Sequence, residues 1–279
     1  MKKLFSLIIA CLSLAFVLSA CSKKDNEPVD PTPDPTTATL PEVLTFTVGD
    51  VTFKMMKVEK GTFTMGATEE QEDPTDNEKP THQVTLTKTY YMGETEVTQA
   101  LWKAVMGNDY NPSSWVGDQM PVQKVSYNEI TAAEGFLAKL NAATGRTFRI
   151  PTEAEWEFAA RGGNKSNKTQ YSGSANIDSV AWYRDNSDMK VHEVAQKKAN
   201  ELGLYDMSGN VYEWCSDWYG GYSSDAQTDP TGPATGVGCV IRGGSYVENV
   251  VNVRTSHRYA FQPQNTKHYI GFRLCLSAE

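Results

Sequence analysis

Between Phe46 and Met55 apolar and polar residues alternate, with Phe46 and Val48 before a Gly49-Asp50 turn and Val51, Phe53 and Met55 after it. Alternation of period two buries one face of an extended strand, so this stretch predicts a hairpin. Val58, a Lys60-Gly61 turn, then Phe63 and Met65 repeat the signature and predict a second hairpin. Further on the apolar period becomes helical. Thr98 precedes Leu101, Trp102, Val105 and Met106, which share one helical face, and Gly107 marks the stop. Ser126 with Glu129 forms a capping box ahead of Ile130, Ala133, Phe136, Leu137 and Leu140, with Gly145 beyond the end. Thr152 with Glu155 forms another after Pro151, opening a helix that buries Trp156 and Ala160 and stops at Gly162-Gly163. Glu153 and Glu157 resemble a glycosidase dyad, but acids near a helix start more commonly complement its dipole.

After Gly163 the periodicity fades, and Gly, Asn, Ser and Asp alternate with single aromatic residues from Tyr171 to Tyr219. Turn hydrogen bonds and dispersed aromatic packing hold such regions, so the expected class is α+β with little regular structure. The loop Glu69 to Glu78 carries six carboxylates in a spacing that matches no EF-hand, and it is expected to be a solvated face. Near the start, Lys2 and Lys3 precede the apolar run Leu4 to Leu18 and then Ser19-Ala20-Cys21, the pattern of a lipoprotein signal peptide (residues 1–20) cleaved before a lipidated Cys21. Residues 21–40, with Pro28, Pro31, Pro33 and Pro35, read as an extended tether, leaving 41–279 as one domain.

The 39% of hydrophobic residues suffices for a buried core. A formal charge of −8, two units more negative once Lys2 and Lys3 leave with the leader, argues against nucleic acid as a partner. The membrane is then met only through the lipid anchor, with the outer membrane as the expected location. Of five cysteines, Cys215, Cys239 and Cys275 remain in the exported domain, an odd number that excludes a multi-bridge scaffold. His82, His192, His257 and His268 are too scattered for a metal triad, and His257 is expected on a loop surface. No Ser-centred nucleophile elbow or phosphate loop is present, and Gly243-Gly244 reads as a tight backbone approach.

Several segments together resemble the formylglycine-generating enzyme, or sulfatase-modifying-factor, family: Gly61 to Gly66, Glu96-Val97-Thr98, Phe148 to Glu157, Ala159 to Gly163, Asn200 to Trp214, Arg242-Gly243-Gly244-Ser245-Tyr246 and Gly271-Phe272-Arg273-Leu274. The resemblance runs in order from about residue 55 to 276. It implies one domain of the formylglycine-generating-enzyme fold, distantly related to C-type lectins, with a small sheet, peripheral helices and long ordered loops.

In the enzymes that this chain resembles, two cysteines after Gly-Gly-Ser-Tyr bind copper as thiolates and convert a sulfatase cysteine to formylglycine with oxygen. The matching positions here are Glu248 and Val253. A valine offers no ligand and one carboxylate suits Cu(I) poorly, so copper and the oxidase activity are not expected. Calcium is expected, because the loop matching the family's calcium site keeps Asn210, Val211 and Glu213. The resulting expectation is a non-catalytic protein that binds a protein, peptide or glycan through the 246–270 surface, with Ser245, Tyr246, Glu248, Asn249, Asn252, His257 and Tyr259 as candidate contacts. That segment also resembles the variable tails that retroelements diversify on this fold. The alternatives are a sulfatase-maturing oxidase and a structural part of an envelope secretion or motility machine.

Overall fold

In the computed structural model, which describes residues 39–278, β1 (Val43–Val48) and β2 (Val51–Val58) pair about the Gly49-Asp50 turn with Phe46 opposite Phe53. Their alternate residues face inward, where Phe46, Phe53 and Phe148 form a three-ring contact with centroids 5.1 to 5.7 Å apart. The second expected hairpin does not form. β3 (Gly61–Met65) pairs with β4 (His82–Leu86) in a separate sheet, so Lys60-Gly61 is a crossing between sheets. The buried face was legible in the alternation, but the partner was decided by packing: Phe63 lies 5.1 Å from the Phe158 ring, centroid to centroid.

The chain continues through β5 (Tyr90–Gly93) into three helices, α1 (Gln99–Met106), α2 (Tyr127–Thr131) and α3 (Phe136–Thr144). β6 (Phe148–Arg149) and α4 (Glu153–Ala160) follow. After α4 come β7 (Tyr212–Trp218), β8 (Gln227–Thr228), β9 (Cys239–Arg242), β10 (Arg258–Phe261), β11 (Ile270–Gly271) and β12 (Cys275–Ser277). Three sheets result, in the orders β1-β2-β5-β12-β6, β10-β9-β7-β11 and β3-β4-β8. The long stretch between α4 and β7 contains only short 3-10 turns, as the fading periodicity predicts. The class is α+β, and Leu40–Glu279 fall in one compact unit.

Helix starts follow local chemistry. Thr98, Ser126 and Thr152 accept from the third residue of their helices, and Glu129 and Glu155 close the two capping boxes. The helix expected from Ile130 to Leu140 is instead broken between Thr131 and Phe136, leaving Ala133 exposed. Gly135 explains the break, since a Cβ there would stand 2.5 Å from the Glu129 carbonyl oxygen.

β7 separates two cores. Tyr212 and Trp214 face one, with Trp102, Phe136 and Phe272, while Cys215 faces the other, with Trp156, Phe158 and Cys275. Cys215, Cys239 and Cys275 are buried thiols that form no disulfide among the described residues. Among the described residues no helix is long and apolar enough to cross a membrane. The signal peptide, Cys21 and nearly all of the tether lie outside the described residues.

Candidate functional site

A frame of buried arginines fixes the C-terminal segment. Arg242 donates to the backbone carbonyls of Thr255 (3.1 Å) and Ser256 (2.8 Å) and pairs with Glu157. Arg258 grips Glu153 through two bonds of 2.6 and 2.7 Å and lies 4.0 Å from the Tyr222 ring centroid. Arg273 binds Glu213 with the same fork, and Arg254 binds Glu78 through two bonds of 2.7 Å. A buried cation is tolerated only against a matched anion, so Glu153 and Glu157 are counter-ions, beyond any service to the helix dipole. Gly243 and Gly244 adopt φ of +91° and +73°, and a Cβ on Gly244 would come within 2.4 Å of the Asn252 carbonyl oxygen, which is the tight approach expected.

The acidic loop is more than a solvated face. Glu78 is fully buried, and Thr75 caps a short turn with it in the same Thr-x-x-Glu pattern seen at Thr152. Burial pushes the Glu78 carboxyl up, but Arg254 and Ser256 outweigh it and bring it down to about 2. Glu70 is likewise tied to Arg161 at 2.7 Å. Glu70 and Glu78 thus serve as counter-charges, while the loop's other carboxylates, Glu69, Glu72, Asp73 and Asp76, are exposed as expected of a solvated face.

Over this frame lies a cavity of about 460 Å³ walled by Tyr212, Glu248, Asn252, His257, Tyr259 and Tyr269, with Thr75, Asn77, Ile241 and Phe261 completing it. Glu248 is half-buried and accepts from Asn252 Nδ2 at 2.7 Å. His257 is only 6% exposed, which corrects the expected surface placement; the Arg242 clamp on its backbone draws it inward. Its Nε2 lies 3.4 Å from the Tyr212 hydroxyl and its Nδ1 has no partner among the described residues. Burial lowers this imidazole to about 4, and the Arg242 and Arg254 charges reinforce the shift, so it is neutral at pH 7. Tyr259 stands at the mouth, 56% exposed.

Of the seven expected contacts, Glu248, Asn252, His257 and Tyr259 therefore meet in one place. Ser245 is buried beneath, its Oγ unpartnered. The buried Tyr246 accepts from Trp115 Nε1 at 3.2 Å and borders a separate shallow depression with Met189 and His268. Asn249 is exposed and accepts from Arg184 at 2.8 Å. Val253 does not reach the cavity; it is buried with Tyr171, Val180, Ala181 and Tyr183. Phe261 and Tyr269 belong to the expected 246–270 surface, whereas Thr75, Asn77, Tyr212 and Ile241 lie outside it. Only the Thr75 to Glu78 capping pattern signalled any of them.

The expected calcium ligands are otherwise engaged. Both Glu213 oxygens are taken, one by Arg273 and the other by Arg273 together with Trp156 Nε1, which lies 2.6 Å away. The Asn210 amide oxygen accepts from the His192 backbone at 3.1 Å, and its amide nitrogen donates to Glu96 at 3.1 Å. These two side chains do not fit a cation in this arrangement, and Val211 contributes a buried apolar side chain to the neighbouring cluster. Beside them, however, Glu96 Oε2 and Asp206 Oδ1 are buried without a partner among the described residues. Burial raises both carboxyls, Asp206 to about 6, and the Asp206 charge raises Glu96 further. For copper, Glu248 supplies one carboxylate and Val253 nothing, so this pair does not fit a thiolate-bound ion.

Small mixed sheets, peripheral helices and a C-terminal segment pinned by arginine–glutamate pairs define a loop-rich α+β domain with a pocket beside that segment. Residues 46–278 match the sulfatase-modifying factor enzyme 1-like domain, and the chain belongs to that family. Among curated relatives, the chaperone protein LppX of Paenibacillus barcinonensis is 37% identical, the match covering 47% of this chain and 62% of that one. The formylglycine-generating enzyme of Streptomyces coelicolor is 32% identical, covering 57% and 53% respectively. The chain thus spans less than two thirds of the length of either relative. The solved structure of Treponema denticola variable protein 1 superposes with a TM-score of 0.75 at 32% identity, covering 86% of this chain and all of that one. The family expectation from the motifs is borne out.

Proposed function

We propose that this is a lipid-anchored cell-envelope protein whose sulfatase-modifying-factor domain recognises a ligand or partner protein instead of oxidising a cysteine. The observation that carries this reading is the fate of the two positions where the resembling enzymes hold cysteines: Glu248 lines the cavity, and Val253 is withdrawn into a small apolar cluster. A relative named as a chaperone and a structural neighbour named as a variable protein are compatible with recognition. The anchor rests on the Lys2-Lys3, Leu4 to Leu18 and Ser19-Ala20-Cys21 series, with residues 21–40 as tether and 41–279 as the domain. The kinship to C-type lectins implied by the resemblance keeps glycans among the candidate ligands.

We assign the calcium expected of the family to Glu96 and Asp206 instead of Glu213. Two buried carboxylate oxygens without partners among the described residues support the assignment; the neighbouring cavity of about 240 Å³ is lined by Glu96 but not by Asp206, and no third acidic, histidine or cysteine side chain joins them in a metal-holding group among the described residues, so backbone oxygens or water would complete the shell. The test of recognition is an array of peptides and glycans probed with the purified protein and with Tyr259→Asp. Binding to a defined subset that the variant loses supports the reading. Binding that persists unchanged in the variant places recognition elsewhere.

A further inference from the structure

We propose that the Tyr212–Glu248–Tyr269 cavity receives an alkylammonium group, either a lysine side chain or a quaternary amine. This inference rests on the recognition reading above and names the chemistry of what is recognised.

The wall is aromatic on several sides, from Tyr212, Tyr259, Phe261 and Tyr269, and its one formal charge is the Glu248 carboxylate. Among the described residues no lysine or arginine lines it. The Tyr212 and Tyr269 rings stand 6.2 Å apart, tilted by 59° to one another. Aromatic faces carry negative quadrupole density and attract cations, most strongly where water is excluded. The molecule already uses this interaction: Lys197 sits 3.9 Å from the Trp182 centroid, and Lys267, which does not line the cavity, lies 5.9 Å from the centroid of Phe261.

Glu248 fixes the sign of the ligand. Asn252 is its hydrogen-bond partner through one oxygen, and the other oxygen has no partner among the described residues. Glu248 is also close enough to oppose ionisation of Tyr212 and Tyr269, adding to the upward push of burial, so both phenols stay protonated. His257, held neutral, brings no competing positive charge. An anion would meet the carboxylate with like charge, and a purely apolar group would leave that carboxylate unpaired. A compact cation on an alkyl stem satisfies the rings and the carboxylate together, with the exposed Tyr259 at the mouth beside the stem.

The experiment uses the full-length protein in detergent and isothermal calorimetry with five probes: N-acetyl-lysine methylamide, its ε-trimethyl form, choline, the neutral N-acetyl-norleucine methylamide and the anionic N-acetyl-glutamate methylamide. The cationic probes are expected to bind, more weakly as salt is raised, and Glu248→Gln is expected to weaken them about tenfold. Glu248 is half-buried and outside the arginine frame, and a melting curve checks that the variant folds. Phe261→Leu, which keeps the charge and removes a ring, is expected to weaken the trimethyl probe more than the lysine probe. Tighter binding of the lysine probe assigns the ligand to a peptide, whereas tighter binding of choline assigns it to a quaternary amine. The proposal is overturned if the norleucine or glutamate probe binds as tightly as lysine, in which case recognition at this cavity stands without the ammonium. It is also overturned if no probe binds, or if Glu248→Gln leaves the affinity unchanged.

Discussion

Replacing Glu78 with glutamine tests whether the acidic loop is an integral part of the frame. Glu78 is fully buried and holds both terminal nitrogens of Arg254 at 2.7 Å, while also accepting from the Thr75 backbone at 3.0 Å. Its carboxyl is depressed from 4.5 to about 2, which corresponds to about 3 kcal/mol of stability at neutral pH. An independent expectation agrees, since breaking a buried pair from one side costs roughly 3–5 kcal/mol by stranding the partner charge. For a domain of this size that lowers Tm by about 6–12 °C. The depressed group stabilises the fold above the unfolded value of 4.5, and that contribution is lost as pH falls through about 2. Urea unfolding of wild type, Glu78→Gln, Arg254→Met and the double variant at pH 7 measures the coupling. The double variant should recover part of the loss, because neither charge is then left alone. A cost below about 1 kcal/mol for Glu78→Gln, or strict additivity in the double variant, would refute the reasoning.

Three further outcomes are expected. His257 is lowered from 6.5 to about 4, so the unfolded chain takes up its proton first and stability declines as pH drops from 6.5 toward 4; His257→Gln should flatten urea midpoints across that window. Gly244→Ala must place a Cβ 2.4 Å from the Asn252 carbonyl oxygen at a φ of +73°, and should cost more than about 2 kcal/mol while shifting the Asn252 and Glu248 resonances. Asp206 is raised to about 6, so without a cation its contribution is present below its ordinary value of 3.8 and is lost as pH rises through about 6. Calcium should therefore raise Tm at pH 7, and Asp206→Asn should raise the calcium-free Tm while abolishing the response to calcium.

What could be read in advance was what neighbours in sequence decide. The caps at Thr98, Ser126 and Thr152 depend on residues three positions away, and they form as expected. The alternation in β3 predicts a partner across Lys60-Gly61, but its inward face is compatible with either sheet, and β3 pairs with β4 where Phe63 meets Phe158 of α4. The helix break at Gly135 follows from close approach to the preceding helix, which no periodicity records. At the site, Glu248 and Asn252 belong to the segment that the family motifs frame. Thr75 and Asn77 come from far along the chain, brought in by Glu78 beneath Arg254. The burial of His257 likewise needs Arg242, whose guanidinium holds the backbone of the segment, and that contact exists only in the folded chain.

Peptide oxidation tests most directly the proposal that this domain recognises a ligand instead of oxidising a cysteine. The purified protein, loaded with copper under reducing conditions, is incubated with oxygen and a cysteine-containing sulfatase peptide, and the peptide is weighed by mass spectrometry. With Glu248 and Val253 at the cysteine positions, the peptide cysteine should emerge unchanged at all times of incubation. Conversion of that cysteine to formylglycine, in proportion to the protein added, would contradict the account.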